Sequence, residues 1–232
     1  SLQTGENPVE LGTLSSGDAN NDNTVNLVDF SILASTYGRC LGQSGYDARA
    51  DFNGDTFISI LDFSLLASHY GQSGDNNSAE ASSIQENEYA TILALTDSHE
   101  VITGSVFTVV IPVQADGLFV DGAQVNLKFD PSKMEILQVT PNNTLPIVLE
   151  NHYDNSLGTL TYAAGTFDNL PSGTFTLLEI QFEAIASAPD TEISFEAGTD
   201  VTSRGASVLG EKQNVSFIIV NPRIFLPIIM SR

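Results

Sequence analysis

The chain has 232 residues, and its 29 Asp and Glu against 8 Lys and Arg give a formal net charge of −21. So acidic a protein is unsuited to binding nucleic acid or an anionic membrane surface, since both attract basic patches. The length suits two modest domains. Cys40 is the only cysteine, so no disulfide can form within the chain.

A segment near the N-terminus occurs twice, at a constant offset of 33 residues. Each copy, 18–38 and 51–71, is an Asp/Asn-rich stretch followed by a helix-forming one. Between 29–38 and 62–71, eight of ten positions are identical. A duplicated unit with carboxylates at fixed spacing predicts a metal site in each copy.

The spacing of the polar residues is that of a calcium loop. Ca²⁺ takes about six to eight oxygen ligands, which a loop of this kind supplies from positions 1, 3, 5, 7, 9 and 12. Both copies have oxygen donors there, with position 7 contributing its backbone carbonyl: Asp18, Asn20, Asp22, Thr24, Asn26 and Asp29 in loop one, and Asp51, Asn53, Asp55, Phe57, Ser59 and Asp62 in loop two. The alternative is an Asp/Asn-rich turn that binds no metal.

Position 6 of such a loop is normally a glycine, because the turn there is sharp. Loop one has Asn23, which tolerates the left-handed conformation. Loop two has Thr56, a β-branched residue that does not. We therefore expect the second site to be strained or weaker.

Each loop also starts a helix. Asn26 and Ser59 fit as N-caps, and Asp29 and Asp62 follow three residues later, as in a capping box. A glycine, residue 38 or 71, stands where a helix normally ends. Because no helix precedes either loop, each unit is half of an EF-hand.

These two loop–helix units resemble the dockerin domain, the calcium-dependent module of cellulosome-type assemblies, over about residues 10–74. The resemblance implies two Ca²⁺ ions and a cohesin partner. It places the partner contacts on the helices, at Leu27, Val28, Ser35, Ile60, Leu61 and Ser68. Enzyme-borne dockerins carry hydroxyl residues at the first two positions of each helix, whereas this chain has aliphatic ones, so a more apolar partner face is expected. The alternative is that these aliphatic residues pack between the two halves.

Residues 75–88 are small and polar throughout, which is typical of a flexible linker. From Tyr89 onward, apolar and polar residues alternate with period two, most clearly in 107–113, 123–129, 178–182 and 215–219. Turn signals separate these runs, so the pattern predicts an all-β sandwich or jelly roll.

A strand that ends in Phe129-Asp130-Pro131 and is followed by a short apolar strand resembles part of a cohesin domain. The resemblance covers about residues 89–220. It implies that the outward-facing Gln124 and Asn126 contact a partner, although well-known cohesins have Asp near the position of Gln124. The alternative is a plain solvated face.

The fold expected is therefore a small α calcium-binding dockerin joined to an all-β cohesin-like jelly-roll sandwich. The resemblances imply a non-catalytic adaptor, extracellular or at the cell surface of a bacterium, in polysaccharide degradation. A cohesin-bearing protein would bind the dockerin, and a dockerin-bearing protein would bind the cohesin. Self-association is an alternative, but we expect the two modules not to match, because a self-satisfied chain would assemble nothing.

Two other functions stay open. One is a secreted carbohydrate-binding or adhesive protein, in which Tyr89, Tyr153 and Tyr162 could stack on sugars, although the chain has no Trp. The other is a hydrolase fragment, which would need a catalytic carboxylate pair that the sequence does not reveal. We find no signal peptide or membrane span, and because the chain starts at Ser1 without Met, a missing signal does not argue against export. The apolar tail 221–232 could add a strand to a sheet edge or be an unstructured end.

Overall fold

A computed structural model describes residues 16–73 and 89–222. The predicted linker 75–88 lies outside these ranges, as does the predicted tail apart from Asn221 and Pro222. Residues 16–73 form a helical module with two α-helices, α1 (Leu27–Thr36) and α2 (Ile60–His69), and a short 3₁₀ helix at Ala48–Ala50.

Both α-helices begin at the predicted capping boxes. The Asn26 side chain accepts from the Val28 amide, and the Asp29 carboxylate accepts from the Asn26 amide. Ser59 and Asp62 repeat the arrangement at α2. The predicted caps are confirmed, and they satisfy amide groups that a helix N-terminus leaves without intrahelical partners.

The helical module closes by pairing each loop with the segment that follows the other helix. The Val25 amide donates to Gln72 O and the Gly71 amide donates to Val25 O. The second loop repeats this 33 residues later, where the Ile58 amide donates to Arg39 O. The module therefore has approximate twofold symmetry, as its duplicated sequence suggests.

Residues 89–222 form a β module of fourteen strands. Their bounds are β1 (Ala90–Leu93), β2 (Leu95–Thr96), β3 (Glu100–Ile102), β4 (Val106–Gln114), β5 (Gly122–Lys128), β6 (Met134–Pro141), β7 (Ile147–Asp154), β8 (Thr159–Gly165), β9 (Thr174–Ala184), β10 (Ala188–Phe195), β11 (Asp200–Ser203), β12 (Ala206–Ser207), β13 (Leu209–Gln213) and β14 (Val215–Val220). The four runs of alternating residues identified in the sequence lie on β4, β5, β9 and β14.

These strands make two sheets packed face to face. The first has the order β13–β1–β4–β9–β6, with β2 paired to β4. The second has the order β12–β11–β5–β10–β14–β3, and it continues from β5 through β8 to β7. Phe107, Phe129, Phe182 and Phe217 pack their rings between the sheets. The predicted combination of a small helical module and an all-β sandwich is confirmed.

The outer face of β11, β5, β8 and β7 is the part of the sandwich that positions the site, and we call it the docking face. On β5, Ala123, Val125 and Leu127 point into the core. Gly122, Gln124 and Asn126 alternate with them and face outward. Helix α2 lies against this face, in contact with β5, β8, β11 and β12. No helix within residues 16–73 and 89–222 is long and apolar enough to cross a membrane.

Candidate calcium loops and module interface

Loop one is shaped by its own side chains. The Asp18 carboxylate accepts from the amides of Asp22 and Asn23, at 3.2 and 2.8 Å. The fully buried Asp29 carboxylate accepts from the amides of Asn20 and Asn26, at 3.1 and 2.8 Å. These bonds hold the first and last carboxylates of the loop on a backbone that wraps around them.

Loop two has the same hydrogen bonds at equivalent positions. The Asp51 carboxylate accepts from the amides of Asp55 and Thr56, at 3.1 and 2.9 Å. Asp62 is fully buried and accepts from the amides of Asn53 and Ser59. Burial raises the pKa of Asp62 to about 6.

The backbone at position 6 turns in the left-handed direction in both loops. Asn23 has φ 67° and Thr56 has φ 73°. The expectation that Thr56 occupies this unfavourable region is confirmed. A β-branched residue with positive φ persists only where its surroundings demand that conformation.

The donors in each loop suit a hard divalent cation, because the side chains at the predicted positions offer oxygen only. Within the described ranges the one salt bridge joins Arg49 to Asp47, so no loop carboxylate has a cationic side chain as its partner. Among the described residues, no three His, Cys, Asp or Glu side chains lie close enough together to form a metal site by themselves. Half of the donors in each loop are instead Asn or Ser side chains and a backbone carbonyl. The residues present therefore fit Ca²⁺ and not a softer metal.

An aromatic cluster joins the helical module to the β module. Phe167, in the loop after β8, stacks on Tyr70 with ring centroids 4.1 Å apart and an interplanar angle of 5°. The Phe63 ring also stacks on Phe167, with ring centroids 5.3 Å apart, and the Phe30 ring meets Phe167 edge-on at a centroid distance of 5.5 Å. Three rings of the helical module thus surround one ring of the β module.

Three glycines of the β module lie under side chains of α2. A Cβ on Gly165 would overlap the Phe63 ring, and one on Gly122 would lie 2.8 Å from Ile60 Cδ1. A Cβ on Gly205, in the β11–β12 turn, would lie 2.8 Å from Leu65 Cδ2. These positions let the helix approach the sheet backbone closely.

Polar groups cross the same interface. Ser64 Oγ donates to Asp121 Oδ1 at 2.7 Å and accepts from the Gly205 amide at 2.7 Å. Asp121 also accepts from Thr202 Oγ1 and from the Arg204 amide. Burial raises the pKa of Asp121, against the opposing effect of these hydrogen bonds. We call this set the Ser64–Asp121 clasp.

A second polar contact lies nearer to β7. Tyr37 Oη donates to Gln124 Oε1 at 2.7 Å. Burial raises the pKa of Tyr37 well above its usual value, and the charges of Glu150 and Asp62 raise it further. The phenol therefore stays protonated and able to donate.

Comparison with known protein families matches residues 16–70 to the dockerin type I domain. Residues 16–70 are a dockerin type I domain. Dockerin type I domains bind calcium, which agrees with the oxygen-rich loops. Comparison with curated protein sequences finds no match.

Solved structures similar to this chain include cohesin domains. A non-cellulosomal cohesin from Archaeoglobus fulgidus is 19% identical, covers 57% of this chain and 91% of its own, and has a TM-score of 0.48. A type II cohesin domain from Acetivibrio cellulolyticus is 16% identical, with coverages of 56% and 95% and a TM-score of 0.48. A type I cohesin–dockerin complex from Clostridium thermocellum gives 9% identity, coverages of 59% and 96%, and a TM-score of 0.48.

The dockerin residues predicted to contact a partner divide between the two helices. On α2, Ile60 is 2% exposed beneath Gly122, and Leu61 and Ser68 line clefts between the modules. On α1, Leu27 and Val28 are 62% and 53% exposed. The remaining α1 residue, Ser35, is also exposed. The aliphatic residues at the start of α1 are therefore not packed between the dockerin halves.

The two β-module residues predicted to contact a partner also differ. Gln124 is 5% exposed and bonds to Tyr37 of the dockerin. Asn126 instead bonds within the β module, where its side chain donates to Ala197 O and its amide donates to Thr199 Oγ1. Of the two, Gln124 is therefore the one with a side-chain hydrogen bond to the dockerin.

One expectation stays a prediction and one needs correction. We expected the dockerin and the β module not to match, and the structure packs α2 of this same chain against the docking face, with hydrogen bonds from Ser64 and Tyr37. Tyr162 was a candidate for stacking on sugars, but it is fully buried in the sandwich core, because its β8 position alternates inward. Tyr89 and Tyr153 are exposed.

Several interface residues were missed by sequence reasoning, among them Ser64, Asp121 and Phe167. Asp121-Gly122 has the local composition of a turn, yet Gly122 begins β5 and lies against Ile60 of α2. Phe167 belongs to no repeat and no alternating run, so it gave no signal. Ser64 has an exposed counterpart, Ser31, at the equivalent position of α1, and the duplication offered no means of telling the two apart.

Proposed function

We propose that this chain is a non-catalytic extracellular adaptor for protein assembly of the cellulosome type. Its dockerin would bind a cohesin-bearing protein, and its β module, acting as a cohesin, would bind a dockerin-bearing one. The observation that carries the proposal is the docking face itself, which accommodates a dockerin helix through three close glycines, an aromatic cluster and the Ser64–Asp121 clasp.

We further propose that the dockerin holds two Ca²⁺ ions, one in each loop. The ligands would be Asp18, Asn20, Asp22, Thr24, Asn26 and Asp29 in loop one, and Asp51, Asn53, Asp55, Phe57, Ser59 and Asp62 in loop two. The ions would supply positive charge to carboxylates that otherwise repel one another, so the free energy of binding would add to that of folding. With seven acidic and two basic residues in 16–73, the dockerin gains much from that charge.

Calorimetric titration of the full chain tests the calcium proposal. We expect two Ca²⁺ per chain, and one Ca²⁺ after either Asp18→Asn or Asp51→Asn, because each variant removes the first ligand of one loop. EDTA should remove the helical part of the circular dichroism signal and leave the β signal. A stoichiometry of zero, or an unchanged helical signal in EDTA, would refute the proposal.

Adaptor function is tested by capturing defined partners. Immobilised chain, loaded with calcium, should retain purified cohesin or dockerin modules of other proteins and should not hydrolyse polysaccharides. Hydrolysis of a polysaccharide panel by the purified chain would contradict the non-catalytic role, and binding to a glycan array would favour the carbohydrate-binding alternative.

A further inference from the structure

We propose that the docking face is built for the dockerin of this same chain, so that the resting protein is closed on itself and a foreign partner must displace the internal one. This inference rests on the proposed function, since it identifies the first occupant of the adaptor's own binding face. The closed arrangement makes α2 and the docking face unavailable together. It therefore regulates binding at the docking face and through α2, while the predicted partner residues Leu27 and Val28 of α1 stay exposed.

The glycines of the docking face supply the first argument. Gly122 and Gly165 are paired across β5 and β8, and neither has a positive φ, so the backbone itself does not require glycine. Glycine inside a strand is unfavourable unless something approaches closely. At Gly165 the nearest group is the Phe63 ring of the dockerin. At Gly122 the close groups are Ile60 of the dockerin and Thr202 of the β module. The approach of α2 therefore accounts for glycine at position 165, and α2 together with Thr202 accounts for it at position 122.

The Ser64–Asp121 clasp supplies the second argument, because Ser64 of the dockerin and Asp121 of the β module each lose a hydrogen bond when the modules separate. Ser64 is fully buried, and the Gly205 amide donates to its hydroxyl. Asp121 is 2% exposed, and one of its three donors is Ser64. A buried polar network of this kind is favourable only when each member has its partner. The network is completed here by residues of one chain.

The aromatic cluster is the third argument. Phe167 is only partly buried even with Tyr70, Phe63 and Phe30 around it. Without the dockerin, this ring and the outward Ile147 and Leu149 of β7, which pack on the dockerin core, would face solvent together. Apolar groups exposed side by side mark a surface that is normally covered.

Linking the two modules favours closure over external partners. Fifteen residues, 74–88, separate the described parts of the chain; their small polar composition predicts a coil, and a coil of that length would span roughly 20–25 Å. The resulting effective concentration is on the order of millimolar. If the internal pair has a Kd of about 1 µM, a foreign dockerin would bind the closed chain about 1000-fold more weakly than an opened one.

The test starts from the full chain and compares serines at equivalent positions of the two helices. A protease recognition sequence is placed between Gly74 and Glu88, the folded chain is cut in calcium, and the halves are followed by analytical ultracentrifugation. Ser64→Asp puts a carboxylate against Asp121 and should weaken the association of the halves about 100-fold or more. Ser31→Asp, at the exposed equivalent position, is the matched control and should have no effect. The double variant removes any contribution of the second serine.

Several results would overturn the inference. Halves of the cut wild-type chain that separate at tens of micromolar would show that the modules do not match. Halves that stay together in both Ser64→Asp and the double variant would show that the face is not bound through the clasp. An uncut chain whose mass grows with concentration would place the contact between copies. Calorimetry on the same samples separates these failures from a failure of the proposed function, because Ser64→Asp should still bind two Ca²⁺.

Discussion

Loop two holds a threonine where its backbone favours glycine, and relieving that conflict should tighten calcium binding. Thr56 has φ 73°, whereas the equivalent Asn23 of loop one has φ 67° and suits the same conformation better. The Thr56 side chain is exposed, its amide donates to Asp51 Oδ2, and its carbonyl accepts from the Leu41 amide. Thr56→Gly would keep both of these backbone hydrogen bonds.

The size of the effect follows from two opposing contributions. A left-handed conformation costs an L-residue roughly 1–2 kcal/mol, with β-branched residues at the upper end. Glycine removes that cost but adds roughly 0.4–1 kcal/mol of conformational entropy to the unfolded loop. Taking about 2 kcal/mol for a β-branched residue, the net gain for Thr56→Gly is therefore about 1–1.6 kcal/mol, or roughly 5- to 15-fold in affinity. For Asn23→Gly the first contribution is small, so the net change should be near zero or unfavourable.

Calcium titration of the wild type, Thr56→Gly and Asn23→Gly measures this difference. Asp18→Asn is added to the wild type and to Thr56→Gly so that loop two is observed alone, and Asp51→Asn is added to the wild type and to Asn23→Gly so that loop one is observed alone. Equal gains in both glycine variants, or weaker binding in Thr56→Gly, would mean that the strain at position 6 does not limit calcium binding. The argument from backbone conformation would then be wrong.

Three further predictions concern docking in the cut-chain experiment. Gly165→Ala should weaken docking about 10- to 100-fold because its methyl group overlaps a ring of α2, whereas Gly173→Ala, with open space around it, should not. Phe167→Ala should weaken docking by about 2–4 kcal/mol through loss of the aromatic cluster, whereas the 61% exposed Leu157 should tolerate alanine. Burial raises the pKa of Asp121 in the docked chain, so docking is coupled to proton uptake. At saturating calcium, the affinity of the two halves should therefore increase as the pH falls toward that raised pKa. At higher pH the affinity should not depend on this group.

The local features of the dockerin could be predicted because they depend on neighbours in sequence. A calcium loop, its capping aspartate and the helix behind it lie within about twenty residues, and the duplication gave two copies to compare. The caps at Asn26 and Ser59 and the strain at Thr56 followed from these short-range rules. Strand positions in the β module followed from alternation, which is also local.

The docking contact could not be predicted, because it depends on which of two similar helices meets a distant surface. Ser31 and Ser64 are the same residue type in nearly the same sequence context, yet only Ser64 is buried. Asp121 and Gly205, which bond to Ser64, lie 57 and 141 residues away from it. No periodicity links such residues, so the contact emerges only from the folded chain.

Loop two and the docked helix share one turn of backbone, so calcium in that loop should control docking. Asp62 closes the loop and caps α2, while Ile60, two residues earlier, contacts Gly122. Loop one stands in the same relation to α1, whose first two residues, Leu27 and Val28, are exposed. We therefore expect Asp51→Asn to weaken docking at intermediate calcium concentrations by at least about tenfold more than Asp18→Asn. Sedimentation of the cut chain over a calcium series measures the difference, and equal losses in both variants would mean that the dockerin responds to calcium as one unit.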